Sequence, residues 1–205
     1  MDRINLSVHP KDATTKILKT LSSKRAEDVL AKRFGIKGPG RHTLESIGKS
    51  YGITRERVRQ IEEAGMKSLA ENNEVQKELQ ALHPAFRNHL SNHGGVSEEK
   101  RYLNSLADAK FHPHVNFLLS LGRPVHKAEE DDNHHHRWFV DDETLNRAQT
   151  VVSRVVDELD SKKTVVSENG LAEMFSAHAR EVFGEPKDEK SVKSYMSIAK
   201  AISKN

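Results

Sequence analysis

The sequence predicts a mainly α protein: an N-terminal helix-turn-helix followed by one or two winged-helix-like parts with a small β-hairpin. Three observations carry that expectation. Residues 43–69, TLESIGKSYGITRERVRQIEEAGMKSL, set two apolar helical stripes on either side of a glycine. Further along, helical segments lead into RPVHKAEEDDNHHHRWFV, which reads as a strand, a polar tip and a returning strand ending on Trp138, Phe139 and Val140. Charge is also uneven, with 15 Lys/Arg against 8 Asp/Glu in residues 1–70 and 18 against 22 in the remainder. A basic first third on an acidic remainder is the footprint of one polyanion-binding module joined to parts whose partners need not be nucleic acid.

Taken in order, residues 1–21 begin polar and turn helical near Asp12, with Ile17, Leu18 and Leu21 as the apolar stripe. Residues 22–70 form the helix-turn-helix unit. Ser22 or Ser23 caps a helix whose inward face is Ala26, Val29, Leu30 and Phe34, and Lys37–Gly40 is a turn by composition. Thr43 caps the next helix, with Leu44 and Ile47 inward, and Gly52 ends it in the left-handed conformation that glycine tolerates. Thr54 caps the last helix, whose Val58, Ile61 and Leu69 share one stripe. Residues 71–83 read as a connector with a break at Asn72-Asn73. Residues 84–141 read as a winged-helix-like domain with helices at 84–92, 97–107 and 112–121 before the hairpin. The acidic tip, Glu129 to Asp132, argues against that wing lying on phosphate. Residues 142–205 read as a second domain of long helix, short helix and helix, with Ser167 capping the short one.

In the 54–69 helix, Arg55, Glu56, Arg59 and Gln60 fall on a stripe separate from the apolar one. Arginine offers a planar fork to guanine O6 and N7, glutamate accepts from cytosine N4, and glutamine pairs with adenine. These residues sit in the first two turns, the part of a recognition helix that enters the major groove.

The segment RAEDVLAKRFGIKG…HTLESIGKSYGITRERVRQIEEAGMKSL resembles region four of the housekeeping bacterial sigma factors, which recognises the promoter −35 element. The resemblance runs from about Arg25 to Leu69 and includes Arg33, Phe34 and Gly35 at the end of the preceding helix. It implies that Arg55, Glu56, Arg59 and Gln60 contact −35 bases. It further implies that Arg57 and the start of the preceding helix (Thr43, Leu44, Glu45) contact flanking phosphates, with Thr54 also among the DNA-binding residues. Double-stranded DNA is the implied partner, together with the β flap of RNA polymerase. Two departures stand out: Ala26, where the family often has glutamate, and Ala64, where a phosphate-contacting lysine is common. They imply weaker overall affinity with the base-reading set intact. The regions of a working sigma factor that bind the −10 element and melt the duplex have no counterpart here, so the chain is not expected to open a promoter unaided. Residues 142–203, through VSENGLAEMF…SVKSYMSIAKAI, resemble winged-helix domains of the HARE type, in which a wing would follow Ile202. The chain stops instead at Asn205, as expected of a truncated domain or one whose wing has been lost.

Zero cysteines removes disulfides, thiolate zinc sites and cysteine nucleophiles. No phosphate-binding glycine loop, G-x-S-x-G or H-E-x-x-H is present, so no catalytic residue is expected. His134-His135-His136 is the one metal-like cluster, but strand residues alternate faces and at most two could share an ion, so no metal or other cofactor is expected. No apolar run spans a bilayer and no signal peptide opens the chain, which places the expected protein in the cytoplasm, at the nucleoid. The expected function is therefore a sequence-specific DNA-binding transcription factor. The alternative is an adaptor or anti-initiation factor docking on RNA polymerase, with DNA reading secondary. A more distant third is an accessory that holds duplex beside a separate nuclease. Additional DNA, another subunit or a second copy of the chain are the partners left open for the C-terminal parts.

Overall fold

The computed structural model describes residues 1–38, 40–162 and 166–202. It contains ten α-helices and three short strands among those residues, as the mainly α reading expects. Its contacts divide the chain into two compact units, one of Asn5–Ala85 with Leu106–Arg123 and one of Met1–Ile4, Phe86–Ser105 and Pro124–Asn205. This division does not follow the linear one expected from sequence: residues 106–123 belong with the N-terminal unit.

The N-terminal unit starts with α1 (Pro10–Lys19) and α2 (Lys24–Phe34). Ser23 Oγ accepts from Ala26 N at 3.2 Å, and α2 stops at Gly35, whose φ of 72° lies in the left-handed region. Helices α3 (Leu44–Tyr51) and α4 (Arg55–Ala70) follow. Val29 of α2, Ile47 of α3 and Val58 of α4 form a small core, with Leu44, Tyr51, Ile53 and Ile61 packed around it. Each such burial contributes about 1.5–3 kcal/mol relative to exposure. The unit is completed by the first part of α5 (Asn73–Ser91), a 3-10 turn at Ala109–Phe111 and α7 (His112–Ser120). Helix α7 packs on α1 and α2, where Phe34 and Phe117 meet edge-on at 5.2 Å between ring centres.

The expected connector at 71–83 is instead the front of α5. The break at Asn72 is present: its Oδ1 accepts from Glu74 N at 2.8 Å and Val75 N at 3.2 Å, starting a new helix. The helix then runs through Pro84, because Val75, Leu79, Leu82, Phe86 and Leu90 form an unbroken buried stripe on both sides of the proline.

The C-terminal unit holds the end of α5, β1 (Val96–Glu98), most of α6 (Glu99–Leu106), β2 (His126–Ala128), β3 (Arg137–Phe139), α8 (Asp142–Lys162), α9 (Glu168–Phe183) and α10 (Glu189–Ile198). The sheet order is β1-β3-β2, all antiparallel, with Val96 opposite Phe139 and His126 also opposite Phe139. Together with the helices between them, the strands follow the winged-helix order along the chain. Strand β1 takes residues 97 and 98 from the expected helix at 97–107. Gly94 and Gly95, with φ of 88° and 74°, turn the chain out of α5, and the partner that makes β1 a strand lies about forty residues away. Helix α9 is also longer than the expected short helix, because Phe175 and Ala179 carry its apolar face onward into the core. At and just after the end of α10, His135 N donates to Ile198 O at 2.9 Å and Lys200 N to Asn133 O at 2.9 Å. The wing expected after Ile202 lies outside the described residues, as do residue 39 of the expected turn and residue 165 at the expected helix start.

Candidate nucleic-acid interface

Two side-chain caps and one glycine turn set the geometry of α3 and α4. Thr43 Oγ accepts from Ser46 N at 3.1 Å, and Thr54 Oγ accepts from Arg57 N at 3.1 Å. Between them Gly52 takes φ of 64° as the end cap of α3. Gly48 lets the turn fold back closely: a Cβ there would lie 2.7 Å from Ile53 O. At the crossing of α2 and α4, a Cβ on Gly65 would lie 3.2 Å from Leu30 Cδ1 and 3.6 Å from the Ala26 methyl. Ala26 is buried at 7% exposure, so this departure from the family pattern fills a helix crossing. Ala64 is exposed.

The first two turns of α4 present a ladder of exposed polar side chains. Arg59 donates Nε to Glu56 Oε2 at 2.9 Å and a terminal nitrogen to Glu56 Oε1 at 2.7 Å, while its other terminal nitrogen bonds Glu63. Gln60 Nε2 donates to Glu56 Oε1 at 3.4 Å, and Arg57 donates to Gln60 Oε1 at 3.1 Å. The hydrogen bonds and charge of Arg59 hold the Glu56 carboxyl below its ordinary range, so it stays an anion that only accepts. The same two carboxylates raise Arg59 above its already high value. Arg55, Glu56, Arg57, Arg59 and Gln60 are therefore brought together on one exposed face.

The expected phosphate contacts fare differently. Thr43, Glu45 and Thr54 are exposed, and each threonine hydroxyl, accepting at its oxygen, keeps its hydrogen free to donate outward. Glu45 pairs with Lys49 at 3.9 Å across one turn, an exposed pair of little energetic weight. The Leu44 side chain packs on the Val29–Ile47–Val58 core, which leaves its backbone rather than its side chain for any ligand. Behind this face, Arg33 bonds Glu62 Oε2 at 3.0 Å and the His42 carbonyl at 2.8 Å, bracing α2 against α4 and the loop before α3. Tyr51 donates to Asp28, and Arg25 and Lys32 lie over its ring at 5.0 and 4.7 Å. Glu63 was absent from the expected set, although its i, i+4 spacing from Arg59 is visible in the sequence.

The histidine run is occupied structurally. His134 Nδ1 lies 2.9 Å from Asp131 Oδ1, His136 Nδ1 lies 2.9 Å from Glu129 Oε2, and Arg137 donates to Asp131 Oδ2 at 2.8 Å. Three or more His, Asp or Glu side chains do not converge on a metal-sized site anywhere among the described residues. No helix among them is long and apolar enough to cross a membrane.

Residues 17–71 match the family described as Sigma-70, region 4. Over 59 residues the chain is 42% identical to RNA polymerase sigma factor SigA of Lactococcus lactis subsp. cremoris, a match covering 29% of this chain and 16% of that relative. The chain thus spans a small part of the relative's length. Helices α2, α3 and α4, with their capping threonines and glycine turn, are the body of that matched segment, so residues 17–71 are similar to a sigma region-four helix-turn-helix.

Proposed function

We propose that the chain is a transcription factor that reads a −35-like promoter element in double-stranded DNA through α4 and associates with bacterial RNA polymerase, at the cytoplasmic nucleoid. The observation that supports this reading is the exposed Glu56–Arg59–Gln60 ladder, held on the first turns of a helix whose other face is fixed by Val58. Arg55, Glu56, Arg59 and Gln60 discriminate base pairs by the hydrogen-bond pattern of the major groove. Arg57, the Thr54 and Thr43 hydroxyls and the backbone N–H groups at Leu44 and Glu45 fix register on phosphates, where the positive end of α3 favours an anion. Glu56 and Arg59 already bond each other, so the pair arrives at the groove with its side-chain geometry set and part of its ordering entropy spent. No reaction is assigned; the mechanism is recognition.

Selection from random duplexes at two salt concentrations tests this. The expected result is an enriched TTGACA-like hexamer, lost when Glu56 and Arg59 are both changed, with affinity that falls steeply as salt rises. Tight, salt-sensitive binding without an enriched motif would defeat the base-reading assignment. The acidic remainder, with 18 Lys/Arg against 22 Asp/Glu after residue 70, supports one second reading: an adaptor that occupies polymerase while DNA reading is secondary. Capture of RNA polymerase by a protein that enriches no hexamer would favour that reading.

A further inference from the structure

Within the C-terminal unit, a cavity of about 430 Å³ is lined by His93, Arg101, Lys190 and Lys193, together with Met1, Asp2 and Glu189. Lys190 and Lys193 are the exposed lysines of α10; Arg101 comes from α6 and His93 from the turn after α5. We propose that this cavity binds a phosphate group, held by the Arg101 guanidinium and the two lysines with His93 at its floor.

Four features carry the proposal. Two polar atoms here are buried without a hydrogen-bond partner among the described residues, His93 Nε2 and Arg101 Nε. Buried polar groups are nearly always satisfied, and leaving one unmet costs about 1–3 kcal/mol, so two at one cavity point to a missing partner. His93 is only 4% exposed, and its Nδ1 lies 2.7 Å from the His89 carbonyl. A carbonyl can only accept, so Nδ1 carries the hydrogen, and Nε2 is the ring position left for a ligand: it accepts from a phosphate P–OH while the ring is neutral and donates to a phosphate oxygen once the ring is protonated. The lysines are each balanced once, Lys190 by Asp2 at 2.8 Å and Lys193 by Glu189, which leaves the Arg101 guanidinium and the Met1 amine over. Burial above all, with smaller electrostatic contributions from the N-terminal amine and Lys190 that Asp2 partly offsets, pushes the adjacent His89 imidazole down to about 4.

The chemistry of the walls selects the ligand class. Arginine and lysine together match a phosphate, with arginine as a fork and lysine as a point charge. Phe, Tyr and Trp are missing from the lining, so a nucleobase would find no stacking platform. The cavity also lies in the part of the chain with the acidic balance, so its positive character is local rather than a consequence of overall composition. The group is recognised as phosphate, whether free or in a nucleic-acid backbone.

The test uses the full chain carrying Arg59→Ala, which weakens the α4 contribution, and follows the His93 and Arg101 side-chain nitrogens by NMR. One arm titrates inorganic phosphate, with chloride at matched ionic strength as the control. The other titrates a duplex lacking any −35-like hexamer. The expected result is a saturable shift of both nitrogens in at least one arm, weakened roughly tenfold or more by Arg101→Gln and severalfold by Lys190→Gln. Saturation by phosphate assigns a free ligand, and saturation by duplex alone assigns the backbone. No saturable shift in either arm, or one untouched by both substitutions, overturns the proposal. Lys190 lies on the surface, so its variant remains informative if Arg101→Gln fails to fold. Because the readout is local to the cavity, it stands or falls separately from the reading of α4.

Discussion

Helices α4 and α9 are each 16 residues long and each begins at a hydroxyl cap, Thr54 or Ser167. Their charges are spent in opposite ways. On α4 the ladder runs along the helix itself, Glu56 to Arg59 to Glu63, so no neighbouring element claims that face. On α9 the charges reach across to α8: His178 Nε2 lies 2.7 Å from Glu158, and Glu181 accepts from Arg154 at 3.1 Å. A polar face that bonds along its own helix is preorganised yet available, whereas one that bonds across helices is part of the packing. The bonding pattern, more than the amount of charge, separates a reading face from a structural one.

The largest effect should come from the apolar side of α9. Phe175 is fully buried among Val151, Val155 and Tyr195, and Phe175→Ala should cost about 3–5 kcal/mol through lost burial and the cavity left behind. Trp138, the one tryptophan of the chain and 5% exposed in β3 of the same unit, reports the loss by fluorescence in denaturant. A cost below about 1 kcal/mol would mean that α9 is not a core helix. Arg59→Ala on α4 should do the reverse. Its unfolding midpoint should stay in place while affinity for the preferred duplex falls roughly ten- to a hundredfold and choice relaxes at one base pair. Unchanged preference would remove α4 from the reading role.

The two caps sharpen the same contrast. Thr54→Ala and Ser167→Ala should each cost about 1 kcal/mol of stability, since each leaves one backbone N–H unmet. Only the first should also weaken duplex binding. Equal effects on binding would mean that the two helix starts are not functionally distinct.

Acid should act on a third region, the β2–β3 hairpin. Burial alone would raise Asp131, but hydrogen bonds from His134 and from the backbone N–H groups of Asn133 and His134 hold it well below its ordinary value of 3.8. A carboxyl depressed in the folded state contributes stability that is present above its unfolded value and is lost as pH falls through the folded one. Trp138 fluorescence should therefore report loosening below about pH 4, and Asp131→Asn should flatten that response while lowering stability at neutral pH.

What could be read in the sequence was local. Thr43, Thr54, Ser23 and Gly52 act on groups within three or four residues, so their roles follow from spacing alone, and so does the exposed stripe at Arg55, Glu56, Arg59 and Gln60. What could not be read depends on distant partners. Val96 is a strand residue because Phe139 lies opposite it, and residues 106–123 join the N-terminal unit because Phe117 meets Phe34. Pro84 concealed α5, since the proline signal is local while the buried stripe that overrides it runs the length of the helix. Ala26 reads in the sequence as a lost polar contact, whereas its methyl packs across from Gly65 in the fold. In the cavity beside α10, His93 and Arg101 are separated in sequence from Lys190 and Lys193, and no spacing rule connects them.

The smallest expected effect probes how available the α4 face is. Glu63 competes for the Arg59 fork with whatever lies in the groove, and it places a carboxylate one turn beyond the readers, near the exposed Ala64. With 62% of its side chain exposed, its pairing with Arg59 adds little to stability, so Glu63→Gln should leave the melting temperature nearly unchanged. Removing the negative charge should tighten duplex binding a few-fold and steepen its dependence on salt, because one repulsive charge near phosphate is gone and Arg59 has one competitor fewer. Glu56 remains to orient the guanidinium, so the preferred hexamer should stay the same. Duplex titrations at several salt concentrations, on the original chain and the variant, read both quantities at once. Weaker binding in the variant would mean that Glu63 positions Arg59 for the groove, and the ladder would then extend over three turns of α4 instead of two.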